Sequence, residues 1–369
     1  MHIIQKTIII LVIIITSPFA IQAQKSTKPI DQYLSELHHE NKFDGVVLVA
    51  QKGKVLYQKG FGMASREWSI ANSGSVKFSL FSVSKPFTAI RVLQLVQAGK
   101  LKLNTTLQEV FPEYPHQAGK TVTIHHLLSH TSGLPDFVNP TLVPLGQKLT
   151  MDRFLKALYQ IKPSFTPGTQ FAYANSTYVL LSFIIEKVTG QSFEKNLQHN
   201  IFKKAGMQNS GVEETGAVIY RKATDYLKQG KQVYNIHNFL RTPIFKGAGA
   251  LYATAEDLLK WDQALYAHTL LSKELTDQML TPGTLQKKYG YGWAIADVPH
   301  LGKVFAHIGG TIDLRSVLVR IPKSKTLIVI LSNTGLPFES TWSGMVEHIH
   351  KNISEGDVFL NLEQRLSLE

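Results

Sequence analysis

The chain opens on a dense apolar run, Ile8-Ile9-Ile10-Leu11-Val12-Ile13-Ile14-Ile15, preceded by a single charge at Lys6 and closed by Pro18 and the small residues Ala20 and Ala23. A basic start, a short apolar core and a small-residue exit describe a secretory leader with cleavage expected after Ala23. The run is short for a stable helix across about 30 Å of hydrocarbon. The expectation is an exported protein, periplasmic or extracellular, with no stable membrane span once residues 1–23 are removed. Beyond a polar stretch, Ile30 to His39 reads as a helix. Phe43 to Ala50 reads as a buried strand through its Val46-Val47-Leu48-Val49 core. Gln51-Lys52-Gly53-Lys54 is a turn signal, and Val55 to Phe61 is the returning strand of a hairpin.

From Ser82 to Ala98 the apolar positions Phe87, Ile90, Leu93 and Val96 recur near helical period, and Gly99 supplies a stop. Pro86 is tolerated only in a helix's first turn, which places the helix start close to Ser82. From about Leu101 to Leu280 the pattern is mostly helical, punctuated by Pro and Gly. Val179 to Val188 is a strong apolar helix ending at Thr189-Gly190, and Ala255 to Ala264 is another, opened by Thr254 with Asp257 three residues on. After Tyr289-Gly290-Tyr291-Gly292-Trp293 short β-branched segments return at Val304–His307, Ser316–Ile321 and Thr326–Leu331, and an amphipathic helix spans Trp342 to Ile353. Strands at both ends with helices between predict a mixed α/β (α+β) chain: one sheet from residues 31–100 and 289–353, a mainly helical insertion over 101–288, and a tail over 354–369.

Composition narrows the chemistry. At 369 residues, 44% hydrophobic and 18% charged, the chain is long enough to bury a large core and ordinary for a globular protein. It contains no cysteine, which excludes a thiol nucleophile and a disulfide framework. The formal charge of +12 is scattered in pairs such as Lys203-Lys204 and Lys287-Lys288, so it reads as a basic solvated surface and not a nucleic-acid site. There is no G-x-S-x-G elbow, phosphate-cradling loop or H-E-x-x-H. His126 and His130 sit four apart, the spacing of two metal ligands, but with no acidic residue between them and no evident third ligand they read as hydrogen-bonding histidines.

Three short elements carry the chemistry. In Ser82-Val83-Ser84-Lys85, residues three apart at a helix start share a face. A partly desolvated lysine there can take the proton that makes a serine hydroxyl nucleophilic. The helix N-terminus adds free N–H groups and a positive field where charge develops on a substrate carbonyl. Tyr173-Ala174-Asn175 follows the Pro167-Gly168-Thr169 turn. A tyrosine beside a cationic lysine has its pKa lowered and can shuttle protons to a leaving group, while the asparagine amide can donate to and accept from a substrate amide. His307-Ile308-Gly309-Gly310 ends a predicted strand whose free edge can pair with an extended substrate, and the N–H of Gly310 can complete an oxyanion hole with that of Ser82.

These elements, in this order, resemble the serine β-lactamase and penicillin-binding superfamily, in the branch of class C β-lactamases, DD-peptidases, D-aminopeptidases and related esterases. The likeness extends through Phe81 to Thr88, Val122 to Pro135, Pro167 to Asn175, Gly247 to Leu258 and Tyr289 to Trp293, covering about Asp31 to Ile353. The resemblance implies an antiparallel sheet flanked by helices, with the helical part inserted between the terminal strand regions. By the same resemblance Ser82 is the acylated nucleophile, Lys85 its activator, Tyr173 the general acid/base and Asn175 the substrate-amide contact. His307, Gly309 and Gly310 belong to the substrate-binding motif on the sheet's edge strand. His307 stands where β-lactamases usually carry lysine, and Ile308 where a hydroxyl residue is frequent, which argues against an efficient β-lactamase. The implied activity is amide or ester hydrolysis through an acyl-enzyme, without metal or organic cofactor. Expected substrates are D-amino-acid peptides, cell-wall fragments or small esters, with β-lactams as possible acylating ligands. The alternatives are a weak β-lactamase or a non-catalytic penicillin-recognising envelope protein.

Overall fold

Six strands form one antiparallel sheet in this computed structural model, which describes residues 26–139, 142–144, 146–230, 232–236, 242–311, 314–334, 341–353, 362 and 365. The strands are β1 (Asp44–Gln51), β2 (Lys54–Phe61), β3 (Ala294–Val298), β4 (Gly302–Gly310), β5 (Arg315–Ile321) and β6 (Thr326–Thr334), in the order β3-β4-β5-β6-β1-β2. The chain's two ends meet at the β1–β6 pairing, with Val46 opposite Leu331 and Leu48 opposite Val329. The β1–β2 turn places Lys52 and Gly53 at φ +52° and +77°, the left-handed pair that a tight right-twisting hairpin requires. The expected leader and most of the expected tail lie outside the described residues. No helix among the described residues is long and apolar enough to cross a membrane.

The unbroken apolar run in β1 follows from burial on both faces. Val47 and Val49 pack with Ile30, Leu34 and Leu37 of helix α1 (Lys28–His39) and with the last helix, Thr341–Ile353. Val46 and Leu48 face the opposite way, into a larger core centred on α2 (Ser84–Gln97) and α3 (Asn175–Thr189). There Phe87, Trp261 and Trp293 form a stack, with centroids 4.2 and 5.7 Å apart.

Two features depart from the sequence expectation. The stretch from Leu101 to Leu280 also carries short strands, at Gly211–Val212, Tyr226–Gln229, Gln232–Asn235 and Leu251–Ala253. They are two to four residues long, too short to show a period. Strand β3 was also not expected. It pairs with β4 from Ala294 opposite Ala306 to Val298 opposite Gly302, so β4 is not the sheet's edge strand. The pairing stops at Ala306, and His307 to Gly310 run past the end of β3. An edge on that side is confined to this last segment, beside Ser82.

Candidate active site

Ser82 lies in a single 3-10 turn, Phe81–Val83, directly ahead of α2, with Pro86 in the first turn of that helix as its missing N–H requires. Phe81 is held at φ +48°, an unfavourable conformation for a bulky side chain. Neighbouring chain secures it: Leu80 N donates to Leu251 O at 2.7 Å, and Leu251 N donates to Ser84 Oγ at 3.1 Å. Across the sheet Ser316 Oγ donates to Ser79 O at 2.7 Å. Gly309 fits against this turn only because it has no side chain. A Cβ there would sit 2.2 Å from Leu80 O and 2.7 Å from Ser82 N. Gly292, at φ +76°, likewise lets the chain press on Lys85 and Pro86, where a Cβ would meet Pro86 N at 2.9 Å.

Lys85 is 0% exposed. Its Nζ donates to Ser82 Oγ at 3.0 Å, Asn175 Oδ1 at 2.8 Å and Ala248 O at 2.9 Å, and stands 4.8 Å from the Tyr173 ring centre. Burial pulls the ammonium down to about 7, against an opposing pull from the Asp136 carboxylate. A lysine divided between its two forms near neutrality can receive the serine proton.

Tyr173 stands beside Lys85, but its pKa runs opposite to the expectation. Burial raises the phenol well above its ordinary value, against an opposing influence of the Ser82 hydroxyl, and Asp136 raises it further. Desolvation of the phenolate is the dominant influence on this phenol. Tyr173 is suited to giving and retaking its proton, not to resting as a phenolate.

Asn175 begins α3 and is not its cap. Ala174 holds the N-cap position without a side-chain bond, and Asp136 does the capping by accepting from Ser176 N at 3.0 Å and Ser176 Oγ at 2.8 Å. The other Asp136 oxygen accepts from Asn175 Nδ2 at 2.9 Å. That bond fixes which end of the amide faces Lys85, because the oxygen must then point at Nζ. Asp136 and the Ala248 carbonyl were missed in the sequence reading. Ala248 lies inside the Gly247 to Leu258 stretch and Asp136 one residue beyond the Val122 to Pro135 stretch, but nothing local ties either to Lys85.

The two histidines four apart are used separately. His126 Nδ1 lies 3.2 Å from Thr123 N and 3.1 Å from Thr121 O, so it serves the start of its own helix. His130, fully buried, accepts from Ala174 N at 3.2 Å and lies against Tyr173, ring centres 4.5 Å apart, so it supports the Tyr173-Asn175 segment. No group of three or more His, Asp or Glu among the described residues could hold a metal ion.

His307 is 5% exposed on β4. Its Nδ1 lies 3.0 Å from the Ile308 carbonyl and its Nε2 3.4 Å from Tyr289 Oη. Burial first, then the nearby Lys85 charge, pulls this imidazole down to about 3 against the Ile308 hydrogen bond, so it is neutral at physiological pH. Tyr289 also walls a separate cleft of about 410 Å³ with His125, Gln278, Thr284 and Tyr291; Ser82 is not among its lining residues.

The Beta-lactamase family matches residues 30–341. Penicillin-binding protein 4* of Bacillus subtilis (strain 168) is 28% identical over 332 residues, covering 84% of this chain and 72% of the relative. The crystal structure of a penicillin-binding protein from Bacillus halodurans superposes with a TM-score of 0.73 at 29% identity, covering 82% of this chain and 94% of that one. D-amino acid amidase from Ochrobactrum anthropi SV3 shares the fold, with a TM-score of 0.77 at 22% identity over 89% of this chain and 99% of that one. With a β-lactamase/transpeptidase-like fold and a family match spanning most of its length, the chain belongs to the Beta-lactamase family of serine hydrolases.

Proposed function

We propose that this protein is an exported hydrolase that cleaves an amide or ester through an acyl-enzyme on Ser82. The observation that carries the reading is the buried Lys85 Nζ, 3.0 Å from Ser82 Oγ and near neutrality in its proton affinity. In acylation the Ser82 oxygen bonds to the substrate carbonyl carbon while its proton passes to Lys85. The carbonyl oxygen takes the negative charge toward the N–H groups of Ser82 and Gly310, and the C–N or C–O bond breaks as Tyr173 protonates the leaving group. Water then reverses the steps to free the acid. Asn175 contacts the substrate amide, and Gly309 keeps the strand edge close to Ser82. D-amino-acid peptides, cell-wall-derived peptides and small esters are the substrates that fit, and β-lactams are acylating ligands by the same chemistry. The leader-like segment before Ala23 supports the export assignment.

A fluorophosphonate or a fluorescent penicillin should label the protein covalently, and Ser82→Ala should abolish labelling. Undiminished labelling of that variant would sink the assignment.

A further inference from the structure

Among the described residues, the end of β4 that flanks Ser82 offers a substrate almost no positive charge. His307 Nδ1 faces a carbonyl oxygen, which only accepts, so the ring's proton is on Nδ1. Its Nε2 faces the Tyr289 hydroxyl and acts as the acceptor there. The neutral ring therefore has no N–H left to offer, and it is nearly enclosed. The next residue, Ile308, is half-buried and apolar, and Gly309 has no side chain. Lys85 is enclosed by three oxygen acceptors. Arg315, opposite Gly310, is 1% exposed and directs Nη1 at the carbonyls of Thr311 and Leu314. The charge that does meet solvent beside Asn175 is negative, the carboxylate of Asp136.

We infer that the preferred acyl donors are uncharged around the scissile bond, namely amides or esters whose leaving part carries no free carboxylate. This rests on the Ser82 acyl-enzyme reading and narrows its substrates. A carboxylate lying along residues 307–310 would shed water without gaining a cationic partner, and would approach Asp136 as a like charge. A carboxamide or ester in the same place gives up much less hydration.

Two matched pairs test it on the full chain: the acetate esters of 3-hydroxybenzamide and 3-hydroxybenzoate, and N-acetyl-D-alanyl-D-alanine amide with its free acid. The uncharged member of each pair should have the higher kcat/KM, by about tenfold or more, the scale of one lost charge-assisted hydrogen bond. Equal values, or a preference for the acids, would overturn the inference. If a pair is not turned over, protection of Ser82 from fluorophosphonate by each member is scored the same way. Ile308→Thr and His307→Lys should narrow the gap about tenfold, and an unchanged gap in the folded Ile308→Thr variant also counts against the inference. Turnover of the neutral ester by Ser82→Ala would instead refute the serine reading, independently of charge preference.

Discussion

The titration of Lys85 links the geometry to a measurable rate. Its ammonium is lowered from 10.5 to about 7 by burial, a differential cost of about 5 kcal/mol at 1.36 kcal/mol per unit. If neutral Lys85 takes the Ser82 proton, the acylation rate should climb about tenfold per pH unit up to a midpoint near 7 and then level. The assay is the second-order rate of fluorophosphonate labelling between pH 5 and 9, corrected for reagent hydrolysis. Asp136→Asn removes the carboxylate that favours the charged form, so the midpoint should move to lower pH, alongside a rate loss from the released Asn175 amide. Lys85→Ala should keep the fold and lose most of the rate. The same shift predicts stability: between about pH 7 and 10.5 the unfolded chain holds a proton on Lys85 that the folded chain does not, so unfolding free energy rises with pH across that window. Lys85→Met should remove that rise. A labelling rate flat from pH 5 to 9, or a midpoint that rises in Asp136→Asn, would refute the reasoning.

Gly309→Ala should cost at least about a hundredfold in acylation rate, measured by the same labelling, because its methyl would meet Leu80 O and Ser82 N and push the strand away from Ser82. Gly292→Ala, at φ +76° against Pro86, should lower stability by about 1–3 kcal/mol in urea unfolding. His307 and His350, lowered by burial to about 3 and about 4, stay neutral in the folded chain while the unfolded chain gains their protons below about 6.5. Stability should therefore fall as pH drops from 6.5 toward 4, and His350→Leu should flatten part of that fall in urea melts at pH 7 and 5. The buried Arg320 donates to Asp262 Oδ1 and lies 4.7 Å from the Tyr266 ring centre; Arg320→Leu should cost about 3–5 kcal/mol by stranding a buried carboxylate.

Much of this protein was legible along the chain because the signals are local. Pro86 placed the start of a helix beside Ser82, and three-residue spacing put Lys85 within reach of it. The β-branched run at Val46 to Val49 marked a strand, and the turn residues after it marked a hairpin. Family resemblance joined Tyr173, Asn175 and His307 to that pair. Strand β3 was missed because Ala294-Ile295-Ala296-Asp297-Val298 is weakly patterned by itself and is fixed by pairing with β4.

The sequence by itself determined which groups exist for the chemistry and which local turns present them. The tertiary structure decided their proton affinities and their orientation. Lys85 meets Asn175 90 positions away and Ala248 163 positions away, and only that enclosure removes the water that would hold it charged. The same burial raises Tyr173, where the sequence pointed to a lowered phenol, and holds His307 in the neutral form that an imidazole already favours at pH 7. Desolvation is set by everything packed around a group, so it cannot be read from the group's neighbours along the chain.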